Sequence, residues 1–290
     1  MKNSFYRNTK LVGLLGHPLK HSYSPFIHNV AFQLKKLDYI YMPFDVAPDN
    51  LENALKGVVS LGIKGLNITI PYKEKIIDFI DELSEESAMI GSVNTIMNED
   101  GKLIGYNTDV YGIVETLAPY KKQISGSCVT VLGAGGAARA VIFSLIRNFK
   151  PEEIILVNRT EQRAHALQNY FNEKMKFENI SVKEFFPPDL VDIFNKSALI
   201  VNATAIGMYP ENDDSPTNIK ESFHKNQIVF DLVYNPVDTQ LIKTAGLQGA
   251  TVLSGLKMLV LQAAKSFELW TGELMPVDEV SRSLQLLLSK

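Results

Sequence analysis

A single cysteine, Cys128, and a single tryptophan, Trp270, stand among the 290 residues of this chain. One thiol cannot close an internal disulfide. The fold must therefore rest on its apolar core, and Cys128, opening an apolar run, reads as a buried core residue of a reducing compartment. No charge of one sign dominates: 29 Lys and Arg stand against 32 Asp and Glu, a net charge of −3. That balance excludes the basic footprint of a nucleic-acid binder or of a membrane-surface protein. No apolar run reaches the roughly 18 residues of a membrane span. The first residues, Met1-Lys-Asn-Ser-Phe-Tyr-Arg, carry no apolar signal core, so the expected location is the cytoplasm. Metal-ligand spacing is lacking as well. His17, His21 and His28 lie close in sequence, but no Cys or Asp pattern accompanies them, and no metal is expected.

What is present is globular composition, 46% hydrophobic and 21% charged, enough for one large or two modest domains. The chain is organised around Val129-Thr-Val-Leu-Gly133-Ala-Gly135-Gly136-Ala137-Ala138. An apolar run feeds into glycines, and a helix-forming run over 137–147 follows. Strand, glycine turn and helix in that order are the context a dinucleotide fingerprint needs. Gly133 allows the tight turn, Gly135 lets a pyrophosphate approach the backbone, and Ala138 supplies the small third position. The helix N-terminus then offers free N–H groups to the phosphates. A second buried strand over 154–157 ends in Asn158. Binding of an unphosphorylated ribose would call for an acid there, about 20 residues past the fingerprint. Asn158, Arg159, Thr160 and Arg163 occupy the place instead. Two guanidiniums and a hydroxyl suit a 2′-phosphate, so NADP(H) is the expected cofactor. The plainer alternative is a pair of solvated arginines at a helix start.

The N-terminal half alternates strand and helix patterns, which predicts a mostly parallel sheet. Strands are expected over 11–15, 39–44 and 65–70, with a hairpin pairing 93–97 with 103–106. Helices are expected over 25–34, 51–61, 78–89 and 110–117. Ser24 reads as an N-cap with Pro25 in the first turn. Ser22, Ser24, Asn67, Thr69, Asn94 and Asp109 fall at strand ends, where open α/β sheets bind ligands. Such small hydrogen-bonding groups suit a hydroxyl-rich ligand, although each also has a local structural use. Lys73 reads as opening a helix, near the positive dipole end that eases loss of its proton. Paired with Asp109 it could shuttle a proton as a hydride leaves the same carbon. Spacing alone does not separate this from a surface lysine and an unrelated acid.

In the C-terminal half, apolar strands over 198–202, 227–231 and 250–253 should end above the glycine turn. Thr204, Met208, Leu232 and Val233 would then line the nicotinamide side, with core packing as the competing use. Met258 and Gln262 lie one turn apart on a helix over 254–270. That helix and a last one over 277–287 are expected to fold back on the N-terminal half.

Taken together these stretches resemble shikimate dehydrogenase. The resemblance rests on Ser22-x-Ser24-Pro25, Gly65-x-Asn67-Ile-Thr69-Ile-Pro71-x-Lys73, Gly91-x-Val-Asn94-Thr and Gly105-x-Asn-Thr-Asp109. It continues through Gly133-Ala-Gly-Gly-Ala137, Asn158-Arg-Thr, Asn202-Ala-Thr-x-Ile-Gly-Met208, Asp231-x-Val-Tyr234-Asn-Pro and Gly255-Leu-x-Met-Leu-x-x-Gln262-Ala. It covers nearly the whole chain in order. It implies a two-domain α/β protein: a mostly parallel N-terminal substrate domain over 1–110, completed by helices over about 256–290, and a Rossmann-type NADP-binding domain over 111–255. It implies reversible NADPH-dependent reduction of 3-dehydroshikimate to shikimate in aromatic amino-acid biosynthesis.

The resemblance also implies roles. Lys73 and Asp109 look like the catalytic pair, and Ser22 and Ser24 like the carboxylate contacts. Thr69, Asn94 and Gln262, with Asn67 and Tyr234 nearby, look like the ring-hydroxyl contacts. Gly133, Ala134, Gly135, Gly136 and Ala137 resemble the pyrophosphate loop. Asn158, Arg159, Thr160 and Arg163 resemble the 2′-phosphate clamp. Leu232, Gly255 and Met258 resemble nicotinamide neighbours, and Glu85 stands where some members contact the cofactor. Lys257 and Ala205 depart from the commoner residues of the family. Two alternatives stay open: the quinate/shikimate type, which often uses NAD, and a non-catalytic NADP-binding sensor. A homodimer is the assembly carried forward.

Overall fold

The computed structural model describes residues 8–19 and 22–289, with Pro187 described by its backbone only. The chain divides into two compact units, Met1–Thr108 with Val260–Lys290, and Asp109–Leu259. In chain order the first unit runs β1 (Lys10–Gly16), α1 (Ser24–Lys35), β2 (Tyr39–Asp45), α2 (Leu51–Ser60), β3 (Gly65–Ile68), β4 (Glu82–Leu83), α3 (Glu85–Ile90), β5 (Thr95–Glu99) and β6 (Lys102–Tyr106). The second continues with α4 (Asp109–Leu117), α5 (Lys121–Ile124), β7 (Cys128–Leu132), α6 (Gly136–Ser144), β8 (Glu153–Asn158), α7 (Glu161–Met175), β9 (Ile180–Glu184), α8 (Leu190–Lys196), β10 (Leu199–Asn202), β11 (Ile228–Asp231), α9 (Gln240–Leu247) and β12 (Thr251–Ser254). Helix α10 (Gly255–Thr271) begins in the second unit and ends in the first, which α11 (Val277–Leu288) completes.

The first unit holds a six-stranded sheet in the order β2-β1-β3-β5-β6-β4. Strands β1, β2 and β3 are parallel, while β5 runs antiparallel to both β3 and β6. Antiparallel pairing follows from the short loop between β5 and β6. Asp100 and Gly101 both take positive φ, 51° and 95°, the two-residue hairpin chemistry expected of Asp-Gly. Asn98 Oδ1 accepts from the Gly101 N–H at 2.9 Å and fixes that turn. Leu15, Leu51, Leu66, Ile68, Tyr72 and Ile96 are among the residues of its apolar core.

The second unit holds a six-stranded sheet in the order β12-β11-β10-β7-β8-β9, parallel throughout. That is the doubly wound order, with the direction of winding reversing between β7 and β10. Its strands are apolar runs buried on both faces, as a parallel sheet covered by helices requires. Strand β9 was not legible in the sequence: Ile180-Ser-Val-Lys-Glu184 is an edge strand with one buried residue, too polar to read as a strand.

Several local expectations give way. Lys73 does not open a helix: it lies in a turn, followed by a 3-10 helix over Lys75–Phe79. The dipole invoked for it is lost, because five 3-10 residues align few peptide dipoles. The helix expected over 78–89 is broken by β4, and α3 starts only after Ser84, whose Oγ accepts from the Ser87 N–H at 3.1 Å. Ser24 is not the cap of α1 but its first residue, and Tyr23 precedes it without a side-chain cap bond. Cys128 is only partly buried, because it starts the strand rather than lying within it; burial still pushes its thiol up.

Candidate active site

In each unit the candidate residues gather where the winding of the sheet reverses. In the first, β1 is flanked by β2 and β3. Gly16 ends β1, and a Cβ placed there would lie 2.4 Å from Thr69 Cγ2 and 3.0 Å from the Ile70 carbonyl. Only glycine lets the ends of β1 and β3 meet this closely, which sets half-buried Thr69 beside the Gly16 turn. The Thr69 N–H donates to the Leu15 carbonyl at 3.0 Å. Ser22 and Ser24 follow on the same strand exit, and Ser22 Oγ accepts from the Ser24 N–H at 3.2 Å. His17 pairs with Asp45 at 2.7 Å and holds that carboxyl below its usual range. His21 lies outside the described residues. Among the described residues no group of three His, Cys, Asp or Glu is placed to hold a metal.

Behind these groups lies a buried polar cluster. Asn94 is 2% exposed. Its Oδ1 accepts from the Thr108 N–H at 2.7 Å and from Thr95 Oγ1 at 3.0 Å, and its Nδ2 donates to Thr108 Oγ1 at 2.9 Å. Gln262 Oε1 lies 3.4 Å from both Asn94 Nδ2 and Thr108 Oγ1. Ser266, one turn further along α10, reaches Thr95 Oγ1 at 2.9 Å and Thr108 Oγ1 at 3.0 Å. Asn67 belongs to the same cluster. Its amide turns inward: Oδ1 accepts from the Tyr41 hydroxyl at 2.9 Å, and Nδ2 donates to Thr95 Oγ1 at 3.0 Å and Ser266 Oγ at 2.9 Å. Asn67 therefore ties β3 to β5 and α10. Thr95 and Ser266 share that work and went unassigned in the sequence, since a lone Thr or Ser inside an apolar run gives no signal of its partners.

The segment Val93–Asn94 also bonds to Lys73 and to the residue that precedes Asp109. The Val93 N–H donates to the Lys73 carbonyl at 2.7 Å. Thr108, bonded to Asn94, is followed directly by Asp109, the buried first residue of α4. Lys73 itself is half-buried. Glu85 is exposed at the first turn of α3, where a negative charge suits the helix N-terminal N–H groups.

In the second unit the glycine turn occupies the reversal between β7 and β10. Gly133 takes φ +105°, and a Cβ there would meet the Ala203 carbonyl at 3.0 Å and Thr204 Cγ2 at 3.1 Å. Its N–H donates to the Val157 carbonyl at 2.8 Å. At Gly135, the residue before α6, a Cβ would meet nothing within 4 Å. Ala134, Gly135, Gly136 and Ala137 are half-exposed, while Ala138 is buried under the sheet. This is a backbone cradle open on one side at a helix N-terminus, and it fits a pyrophosphate. Strand β8 delivers Asn158, whose Nδ2 donates to the Thr160 carbonyl at 2.9 Å and shapes the turn. Arg159, Thr160 and Arg163 are exposed there. Among the described residues neither guanidinium has an ion-pair or aromatic partner, which leaves both free for an anion.

The loops after β10 and β11 are knitted together. Asn202 and Asp231 are register partners at the ends of those strands. Asn202 Nδ2 donates to Asp231 Oδ1 at 2.9 Å, and Asn202 Oδ1 accepts from the Thr204 N–H at 3.1 Å and the Thr204 hydroxyl at 2.6 Å. Asp231 Oδ1 also accepts from the Val233 N–H at 3.0 Å, and Oδ2 from the Thr239 hydroxyl at 2.6 Å. Burial pushes this carboxyl up to about 6, against the pull of its three donors, Thr239 foremost. Gly255, at the start of α10, faces the same segment: a Cβ there would lie 2.2 Å from the Leu232 carbonyl. Leu232 and Tyr234 are half-buried and Met208 is exposed, while Val233 and Met258 are buried as core residues. Asn202 and Asp231 had been assigned no role. The signal was there, since each is a polar residue ending an apolar strand.

Three family models match the chain. Residues 14–96 match the shikimate dehydrogenase substrate binding domain, 116–252 the shikimate/quinate 5-dehydrogenase model, and 255–285 the shikimate 5′-dehydrogenase C-terminal domain. A shikimate dehydrogenase (NADP(+)) of Caldanaerobacter subterraneus is 44% identical over 279 residues, 96% of this chain and 97% of that protein. Its counterpart in Methanocaldococcus jannaschii is 43% identical over 272 residues, 91% of this chain and 92% of the relative. Among solved structures, a shikimate dehydrogenase in complex with NADP+ superposes with a TM-score of 0.90 at 38% identity, covering 99% of this chain and 98% of that one. A Listeria monocytogenes shikimate 5-dehydrogenase in complex with shikimate and NAD gives 0.86 at 33% identity, over 98% and 99%.

Proposed function

Because the chain belongs to the shikimate dehydrogenase family, we propose that it reduces 3-dehydroshikimate to shikimate, reversibly, with NADPH. The observation that carries the reading is the bonding of Lys73 and Thr108 to consecutive residues, Val93 and Asn94. It brings the segments bearing the lysine and Asp109 to one loop. Carbonyl reduction needs a hydride at carbon and a proton at oxygen. NADPH, when bound, supplies the hydride. Lys73 gives the proton to the oxygen in the reducing direction and takes it back in the other, and Asp109 orients the group that moves it. Ser22 and Ser24 hold the substrate carboxylate. Thr69, Asn94, Tyr234 and Gln262 meet its hydroxyls.

The second unit holds the cofactor: the Gly133–Ala137 backbone takes the pyrophosphate, and Arg159 and Arg163 take the 2′-phosphate. Thr204, Leu232 and Gly255 border the nicotinamide. Met208 and Met258 are weaker candidates there, the second because it is buried. The activity belongs in the cytoplasm, and among the described residues no helix is long and apolar enough to cross a membrane. A homodimer is the proposed assembly.

Initial rates with shikimate or quinate, each with NADP⁺ or NAD⁺, test the reading. Turnover is expected with shikimate and NADP⁺ and to be low in the other three combinations. Comparable rates with quinate would move the chain to the broader quinate/shikimate type, and no rate in any combination would leave an NADP-binding sensor. The cofactor preference has its own check. Arg159→Ala should weaken NADPH binding about tenfold or more, the scale of a charge-assisted phosphate contact, and leave NADH binding nearly unchanged. Equal weakening of both cofactors would remove Arg159 from the phosphate site.

A further inference from the structure

Asp231 has no role assigned above, yet its carboxylate joins two loops that carry residues with one. Through Asn202 it fixes Thr204, since the Asn202 amide donates to Asp231 while its carbonyl oxygen accepts both the N–H and the hydroxyl of Thr204. Through its bond to the Val233 N–H it fixes the turn that presents Leu232. Through Thr239 it anchors the far end of that loop to the first turn of α9, where Thr239 Oγ1 also accepts from the Ile242 N–H at 3.3 Å. The loops are bonded to each other besides, the Leu232 N–H to the Asn202 carbonyl at 3.0 Å and the Tyr209 N–H to the Asn235 carbonyl at 2.9 Å. Asp231 is wholly buried. A buried acid that meets only donors persists because removing it would orphan all of them.

We infer that Asp231 is a positioning residue for the nicotinamide end of the cofactor: it sets Thr204 and Leu232 in place without touching the ligand. The inference rests on the functional reading above. It divides the cofactor into two parts. The adenosine, its 2′-phosphate and the pyrophosphate are held by residues 133–137 and 158–163, which Asp231 does not contact. The groups it bonds directly or through Asn202 lie at the nicotinamide end.

The test is binding, measured by calorimetry on the full chain with NADPH and with 2′-phospho-ADP-ribose, which lacks the nicotinamide. Asp231→Ala should weaken NADPH about tenfold or more and leave 2′-phospho-ADP-ribose within about twofold, as loss of buried acceptors on one side of the site requires. Asp231→Asn keeps an oxygen for Asn202 and Val233 while its amide can donate to Thr239, and should restore most of the NADPH affinity. Thr239→Val removes one donor and gives a smaller split of the same sign; it serves if Asp231→Ala does not fold. Equal weakening of both ligands, or no weakening of NADPH, overturns the inference. Turnover of the parent protein with shikimate and NADP⁺ is measured alongside. A parent that binds NADPH but turns nothing over overturns the functional reading, whereas an active parent with no split in the variants overturns the positioning role alone.

Discussion

Replacing Lys73 by alanine should lower kcat by about two to four orders of magnitude, the range a general acid–base group supplies. The KM for shikimate should stay within about threefold, because the contacts to its carboxylate and hydroxyls lie on other residues. The fold should survive. Lys73 is held through its carbonyl by the Val93 N–H, a bond the substitution leaves alone, and its side chain is not part of the apolar core. A proton must reach the carbonyl oxygen as hydride reaches the carbon. Water can supply it, but without the fixed position that makes transfer efficient. Asp109→Asn should move kcat in the same direction. Steady-state rates in both directions check this, and a Lys73→Ala variant with parental kcat would remove the lysine from the mechanism.

The second large effect concerns acid stability and comes from His28. Its ring is fully buried, and it stacks on Tyr41 with centroids 4.4 Å apart and an interplanar angle of 3°. Trp270 and Phe32 are at 5.2 Å and 6.2 Å. Among the described residues neither ring nitrogen has a hydrogen-bond partner. Burial drives its pKa down to about 3, against the opposing pull of the neighbouring Asn67 side chain. A depressed folded-state pKa gives stability that is present above the unfolded value of 6.5 and is lost as pH falls toward 3. Between pH 7 and pH 4 the loss from this one group is about 3 kcal/mol. His28→Phe should therefore flatten the acid limb: its unfolding free energy relative to the parent should rise by that amount over the interval. Comparing slopes removes any constant penalty from the larger ring. Denaturant unfolding at a series of pH values checks it, and parallel curves for the two proteins would sink the assignment.

How much of this was legible in the sequence depended on whether a residue's meaning was local. The glycine turn was legible because strand, glycines and helix follow one another, and the structure has the turn at the reversal of a doubly wound sheet. The strands of the second unit were legible, save the polar edge β9, because parallel strands buried on both faces are continuous apolar runs. Lys73 was misplaced because Pro71 and the residues after it resemble a helix start, whereas the chain closes a turn there and breaks again at β4. The internal bonding of Asn67 was not legible because its partners, Tyr41, Thr95 and Ser266, are scattered along the chain. No spacing rule connects residues 26 and 199 positions apart. Asp231 and Asn202 were passed over for the same reason, since each gains its meaning from the other across a strand register.

Gly16 against Thr69, and Gly133 against Thr204, close the reversal of each sheet with bare backbone. The floor of each reversal is thus sealed to new side chains, and randomising those two positions would return mostly damaged protein. Variation in what the scaffold accepts must come from the walls: the segment carrying Ser22 and Ser24 in one half, and the turn carrying Arg159 to Arg163 in the other. Because these walls belong to separate units with separate cores, they form two libraries that can be screened apart and then combined.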